Sequence, residues 1–258
     1  MDKNFIFTID DNIRFLQELN EDEWGGLFSH PYSSLLKRLH EKYNLKIQLN
    51  LFYEYKNFNL SQMTDKYKKE WEEASSWLKL SFHSIKDNVS PYLNSDYNEV
   101  YNECQTVQKE IIRFAGIDSL AKTTTIHYCQ LSKKGLFAIK DCGIKGLLGL
   151  YGDEFAAKNS YNCAEEERKQ IAKGKVIEKE GLFFAGIDIV LNCWDINQII
   201  ERLEKIKDRQ VIKVMIHEQY FYGDYVAYQP NFECKLSETF NFLIKNDFKS
   251  IIYEEIIY

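Results

Sequence analysis

Apolar residues along this chain follow two periodicities: short runs of strand length, and longer stretches in which they recur at helical spacing. The first run is Phe5-Ile6-Phe7-Thr8-Ile9. Residues 46–53 alternate as a strand should, and further runs cover 77–82, 123–126, 143–150, 183–191, 211–216 and 249–253. Between them, Leu35, Leu36, Leu39 and Tyr43 mark a helix over 32–43. Tyr67, Trp71 and Ala74 mark another within 61–75, and Val100, Cys104, Val107 and Ile111 a longer one over 96–113. Residues 132–141, 195–207 and 234–245 read as further helices. The segment after the first strand, through Glu21-Asp22-Glu23-Trp24-Gly25-Gly26, reads as a polar loop, and residues 152–182 as a polar insertion, a hairpin or lid. Strands alternating with helices predict an α/β fold with a parallel sheet. Seven or eight such units with no Pro/Gly/Ser linker favour a single TIM-like (β/α) barrel over residues 1–258 rather than two domains.

Composition narrows the classes. Hydrophobic residues at 45% supply a full core and exclude disorder as the account of any long segment. The net charge of -6 is spread along the chain, which excludes duplex binding by a basic tract. No stretch has the length of a transmembrane span and the first residues lack a secretory h-region, so a soluble cytoplasmic protein is expected. The six cysteines show no Cys-x-x-Cys pair and read as buried thiols. No glycine-rich phosphate loop follows a strand, so nucleotide binding is not expected.

The chemistry lies at the ends of the apolar runs. Asp10 and Asp11 close the first, His83 the third, His127 the run at 123–126 and His217 the run at 211–216. The carboxyl ends of parallel strands share one face, where ligand and catalytic residues gather. Carboxylates and imidazoles on that face point to metal-assisted or acid/base hydrolysis. Each residue also has a plainer reading. Asp10-Asp11-Asn12 could cap a helix, and His127 could be a hydrogen-bonded histidine at the barrel mouth. Arg113 could be a charge that complements its helix dipole. His30 and His40 read as structural. Glu218 would face away if the strand continued past His217. Tyr220, Phe221, Tyr222, Tyr225 and Tyr228 form either a stacking platform for a ligand ring or simple loop packing.

The order of these elements resembles the polysaccharide deacetylase (NodB-homology) family of metal-dependent hydrolases. Thr8-Ile9-Asp10-Asp11 is similar to that family's Thr-Phe-Asp-Asp, His83-Ser84-Ile85-Lys86-Asp87 to its His-Ser-x-x-His, Arg113-Phe114-Ala115 to its Arg-x-Pro, and Met215-Ile216-His217 to its Leu-x-His. Two departures stand out: Asp87 replaces the second histidine, and the arginine element lacks its proline. Segments 77–84 and 215–222 also resemble a group of glycoside hydrolase/deacetylase-type barrels. The resemblance implies a (β/α) barrel holding one divalent metal, zinc or similar, that removes an N- or O-acyl group from a sugar-like substrate. The alternative to that hydrolase is a catalytically silent barrel that binds a carbohydrate or a partner protein. It places Asp10 as the general base toward a metal-bound water, Asp11 and His83 as ligands, His217 as the general acid and Arg113 as a residue orienting Asp10. The third ligand is either Asp87, by position, or His127, by the preference of zinc for imidazole. Glu218, Tyr220 and Tyr222 are the candidate substrate-binding residues.

Overall fold

The computed structural model describes residues 2–88, 91–152 and 160–257. Strand β1 (Lys3–Asn12) is buried without a break from Phe5 to Asp10, as a parallel strand covered on both faces must be, and takes the central place. Helices α1 (Arg14–Glu21) and α2 (Pro31–Tyr43) lead to β2 (Ile47–Phe52), a small hairpin of β3 (Glu54–Tyr55) and β4 (Phe58–Asn59), and α3 (Lys68–Ala74). Then come β5 (Leu78–Ser84), α4 (Tyr97–Ala115), β6 (Thr123–Thr124), α5 (Lys133–Asp141) and β7 (Gly146–Gly149). The chain continues through α6 (Glu165–Ala172), β8 (Ile177–Lys179), β9 (Leu182–Gly186), β10 (Ile189–Val190) and α7 (Ile196–Ile206). Strand β11 (Val211–His217), α8 (Phe232–Lys245) and β12 (Phe248–Ile251) complete it.

One hydrogen-bonded arc runs β10-β11-β1-β2-β5 and another β6-β7-β9, all parallel. Backbone bonds join the arcs at both seams. Ala121 N–H reaches the Leu80 carbonyl at 2.9 Å, and Asp188 N–H reaches the Lys213 carbonyl at 2.8 Å. The result is a (β/α) barrel of seven strand positions, with β9 and β10 as one bent strand. Strand β12 is an extra element that pairs only with Lys3–Ile6 at the amino end of β1. Of the expected insertion at 152–182, residues 160–182 hold α6 and β8, which forms an antiparallel hairpin with β9, while residues 153–159 lie outside the described residues.

The faces of β1 follow the pleat. Phe5 and Phe7 face the helices, where their rings lie 5.8 and 4.9 Å from Phe240 of α8. Ile6 faces the interior, in an apolar cluster with Leu148, Val190 and Met215 that Tyr253 and Ile257 join beyond β12. Gly146 makes room for that packing, since a Cβ there would stand 2.7 Å from the Tyr253 ring. Toward the carboxyl ends the interior turns polar. Gln48 donates from Nε2 to Asn50 Oδ1 at 2.8 Å and to the Thr123 carbonyl at 2.9 Å.

Three elements differ from the sequence expectation. The strand at 123–126 is only two residues long, and α3 begins at Lys68 after a separate turn closed by an Asn59/Gln62 capping box. Helix α1 occupies the first part of the expected loop. Its own N-cap, Ile13, offers no side-chain acceptor. Glu218, buried at the end of β11, supplies one from across the chain. Its carboxylate accepts from the N–H groups of Ile13 (2.7 Å), Arg14 (3.2 Å) and Phe15 (2.7 Å) and from the Tyr222 hydroxyl (2.7 Å). Asp10-Asp11-Asn12 therefore does not cap this helix.

Burial pushes the Glu218 carboxyl up to about 7, outweighing those four hydrogen bonds. Glu218→Ala leaves buried amides without an acceptor and should lower the unfolding free energy by about 3 kcal/mol or more, read from urea denaturation. The folded carboxyl holds its proton to higher pH than the unfolded one, whose ordinary value is 4.5, so this group's contribution falls as pH rises from about 4.5 to about 7. Wild type should lose stability relative to Glu218→Gln across that window. Parallel curves for the two proteins would contradict this assignment.

Candidate active site

Adjacent residues in a regular strand point to opposite faces, so two consecutive carboxylates cannot both enter one cavity without a break in the pleat. The break is present. Between Ile9 and Asn12, β1 carries one residue more than β2 carries between Leu49 and Leu51, and Asp11 adopts φ +62°. Asp10 and Asp11 consequently line the same cavity of about 380 Å³ at the carboxyl ends of the strands. Strand β5 repeats the device: Leu51 and Phe52 pair with Phe82 and Ser84, leaving His83 as the extra residue.

His83, His127 and Asp11 meet in this cavity. His83 Nε2 lies 3.0 Å from Asp11 Oδ1 and 3.1 Å from His127 Nδ1, which is itself 3.4 Å from Asp11 Oδ1. The other ring nitrogens fix the tautomers. His83 Nδ1 donates to the Thr125 carbonyl at 2.5 Å, and His127 Nε2 donates to Asp87 Oδ1 at 3.1 Å. The neutral rings then turn two lone pairs toward a carboxylate oxygen, a mutually repulsive arrangement unless a cation lies among them. Ligands at ~2.1 Å from one ion stand roughly 3.0 to 3.4 Å apart in octahedral or tetrahedral geometry, so the donor set fits a divalent metal. Burial opposes ionisation of Asp11, but hydrogen bonds from His127 and His83, which form when a proton stands in the place of the ion, more than offset it and hold the carboxyl well below its usual range. Burial also lowers the His83 pKa. An ionised Asp11 and a neutral His83 are the states a metal requires. Gln219 donates to the second oxygen of Asp11 at 2.7 Å.

Asp10 and His217 flank this group as register partners on neighbouring strands. Burial raises the Asp10 carboxyl well above the ordinary range, against a hydrogen bond from Asn50 Nδ2 at 2.6 Å and with help from the charge of Asp11. Burial lowers the His217 pKa, and its Nδ1 lies 2.9 Å from Asn192 Oδ1.

Other expected residues lie elsewhere. Arg113 does not orient Asp10: its guanidinium is taken up by Glu110 at 2.6 Å and by the carbonyls of Met63 and Leu60, both at 2.8 Å. Asp87 is absent from the converging donors, and its side chain is 80% exposed behind His127. Glu218 supports α1, and Tyr222 packs beside it under the Arg14 guanidinium, so neither lines the main cavity. Tyr220 does line it, with Tyr225 and the unanticipated Tyr128. His30 and His40 are structural, bonded to Glu18 and the Leu45 carbonyl, both at 2.7 Å. Cys193 and Cys234 are exposed, unlike the other four thiols. Asn50, Asn192 and Gln219 were not singled out in the sequence, although Asn192 follows an apolar run just as the three histidines do.

No family model and no curated protein sequence matches the chain. Solved structures do. A 4-α-glucanotransferase from Thermococcus litoralis superposes with TM-score 0.64 at 16% identity over 98% of this chain, which spans 40% of that protein. A mutant of a CE4-family pseudoenzyme, described as having restored enzymatic activity, gives TM-score 0.56 at 11% identity over 100% of this chain and 68% of that one. A family 4 acetyl xylan esterase from Clostridium thermocellum, in complex with a cobalt ion, gives 0.54 at 11% over 98% and 90%. The fold is thus a (β/α) barrel of the kind seen in these structures, the CE4-family ones among them. Among the described residues no helix is long and apolar enough to cross a membrane.

Titration calorimetry with zinc or cobalt should give about one ion per chain. Asp11→Ala and His83→Ala should abolish binding, whereas Asp87→Ala, which removes only the support of His127, should weaken it by roughly ten- to a hundredfold. Equal affinity in wild type and His127→Ala would remove His127 from the ligand set.

Proposed function

We propose that this chain is a metal-dependent hydrolase that removes an N- or O-acyl group from a carbohydrate-like substrate. The observation that carries the reading is the convergence of Asp11, His83 and His127 donors beside a proton-hungry carboxylate and the half-buried imidazole of His217. A divalent ion held by the three donors would polarise the acyl carbonyl and acidify water. Asp10, with its raised proton affinity, accepts the proton of the attacking water, and His217 donates one to the departing oxygen or nitrogen. Tyr128, Tyr220 and Tyr225 give the cavity an aromatic wall on which a sugar ring can stack. The acetyl xylan esterase with its cobalt ion, among the fold neighbours, supports this chemistry.

Glycosyl transfer, the reaction named for the Thermococcus protein, needs two carboxylates facing each other across the bond, about 5 to 9.5 Å apart. Here Asp10 and Asp11 are sequence neighbours, one held by Asn50 and the other by imidazoles and Gln219, which favours acyl hydrolysis. The pseudoenzyme neighbour keeps a second reading open, a silent barrel that binds glycans. Asp10→Asn separates the two. It should leave metal affinity unchanged while turnover of an N- or O-acetylated oligosaccharide falls by on the order of a hundredfold or more. Saturable binding without metal-dependent release of acetate from any acylated sugar in a broad screen would establish the silent barrel instead.

A further inference from the structure

The orientation of His217 is decided by the strand end beside it. Strand β10 runs next to β11 and passes into a turn at Leu191–Cys193. From that turn Asn192 brings its side-chain oxygen to 2.9 Å from His217 Nδ1. An amide oxygen only accepts, so Nδ1 must carry the proton. The amide nitrogen of the same side chain is directed at Cys193 Sγ, 3.9 Å away, in keeping with this orientation. The turn is itself held in place. Gln229 Nε2 donates to the Asn192 carbonyl at 2.8 Å, Lys235 Nζ donates to Gln229 Oε1 at 2.8 Å, and the same buried lysine reaches the Leu191 carbonyl at 3.5 Å. Two side chains, Gln229 and Lys235, thus set the place of the turn that carries this amide oxygen.

We propose that Asn192 is a positioning residue that locks His217 as the Nδ1–H tautomer, leaving Nε2 as the only nitrogen that exchanges a proton with the cavity. Nδ1 stays protonated in both the neutral and the cationic ring, so each proton gained or lost by His217 passes through Nε2. The structural claim stands independently of turnover; its catalytic consequence rests on the acyl-hydrolase reading.

The test begins with the wild-type chain. Long-range proton–nitrogen NMR of the imidazoles, with the His217 signal identified by its loss in His217→Gln, should show Nδ1–H with an unprotonated Nε2 for the neutral ring. Asn192→Leu, which removes the acceptor at similar size, should shift this ring toward the other tautomer, and Asn192→Asp, which keeps an acceptor, should retain it. With an acetylated oligosaccharide, Asn192→Leu should lower kcat by roughly ten- to a hundredfold with KM little changed, and Asn192→Asp should recover most of the loss. A wild-type His217 protonated on Nε2, or an Asn192→Leu spectrum identical to wild type, overturns the proposal. The expected tautomers in a chain that hydrolyses no acylated sugar would uphold the positioning role and refute the hydrolase.

Discussion

The site depends on one backbone conformation, the left-handed φ of +62° at Asp11. Such a conformation costs an L-residue about 1 kcal/mol or more, and it persists where its surroundings determine it. Here Asp11 is held at one oxygen by Gln219, and its other oxygen meets the His83 and His127 nitrogens at the place a cation would take. Because the residue is out of register, Asp10 keeps its inward place opposite His217 while Asp11 turns into the same cavity. Without that extra residue the two carboxylates would fall on opposite faces, and the cavity would keep either the proton acceptor or the metal donor.

Asp10 is supported from beneath by a second constraint, the polar interior of the upper barrel. Asn50 donates to Asp10, accepts from Gln48, and is fixed by it, while Gln48 accepts from the Thr123 hydroxyl at 2.7 Å. This chain of amides and hydroxyls runs across three strands, which ties the height and angle of one carboxylate to the packing of the barrel. Buried amides are costly when unpaired and rigid when satisfied. The same logic separates His217 from Glu218: the first enters the cavity and the second turns away to hold α1, so one strand end positions both a reactive group and the helix behind it.

Much of this was legible in the sequence, because hydrophobic periodicity is dictated by burial. The strands at 3–12, 47–52, 78–84 and 211–217 and the long helix α4 follow from it directly. The polar positions Gln48 and Asn50 within β2 carried a signal too, since they alternate with Ile47, Leu49 and Leu51 and mark the interior face. Helix α1 was hidden because its cap is 205 positions away from Ile13 and not in the local sequence. The choice between Asp87 and His127 was likewise a matter of loop geometry: the turn after β5 carries Asp87 outward, and β6 ends early enough for His127 to swing in. Arg113 misled because an arginine at a helix end looks alike whether it serves a site or, as here, ties α4 to the turn at 60–63.

The pairing of Lys3–Ile6 with Phe248–Ile251, with Tyr253 and Ile257 packed into the interior just beyond, carries a kinetic consequence. The central strand completes its hydrogen bonds only when a segment nearly 250 residues later arrives. Contacts of such sequence separation are formed late and slow the search for the native topology. A nascent chain that has emerged only as far as α7 lacks β11, β12 and the residues that fill the amino end of the barrel. Ile6, Leu148 and Val190 then lack several of their interior neighbours, and a stretch of β1 backbone stays unpaired. The fold that assembles its reactive groups at one rim therefore leaves the opposite rim as the last part to be sealed during synthesis.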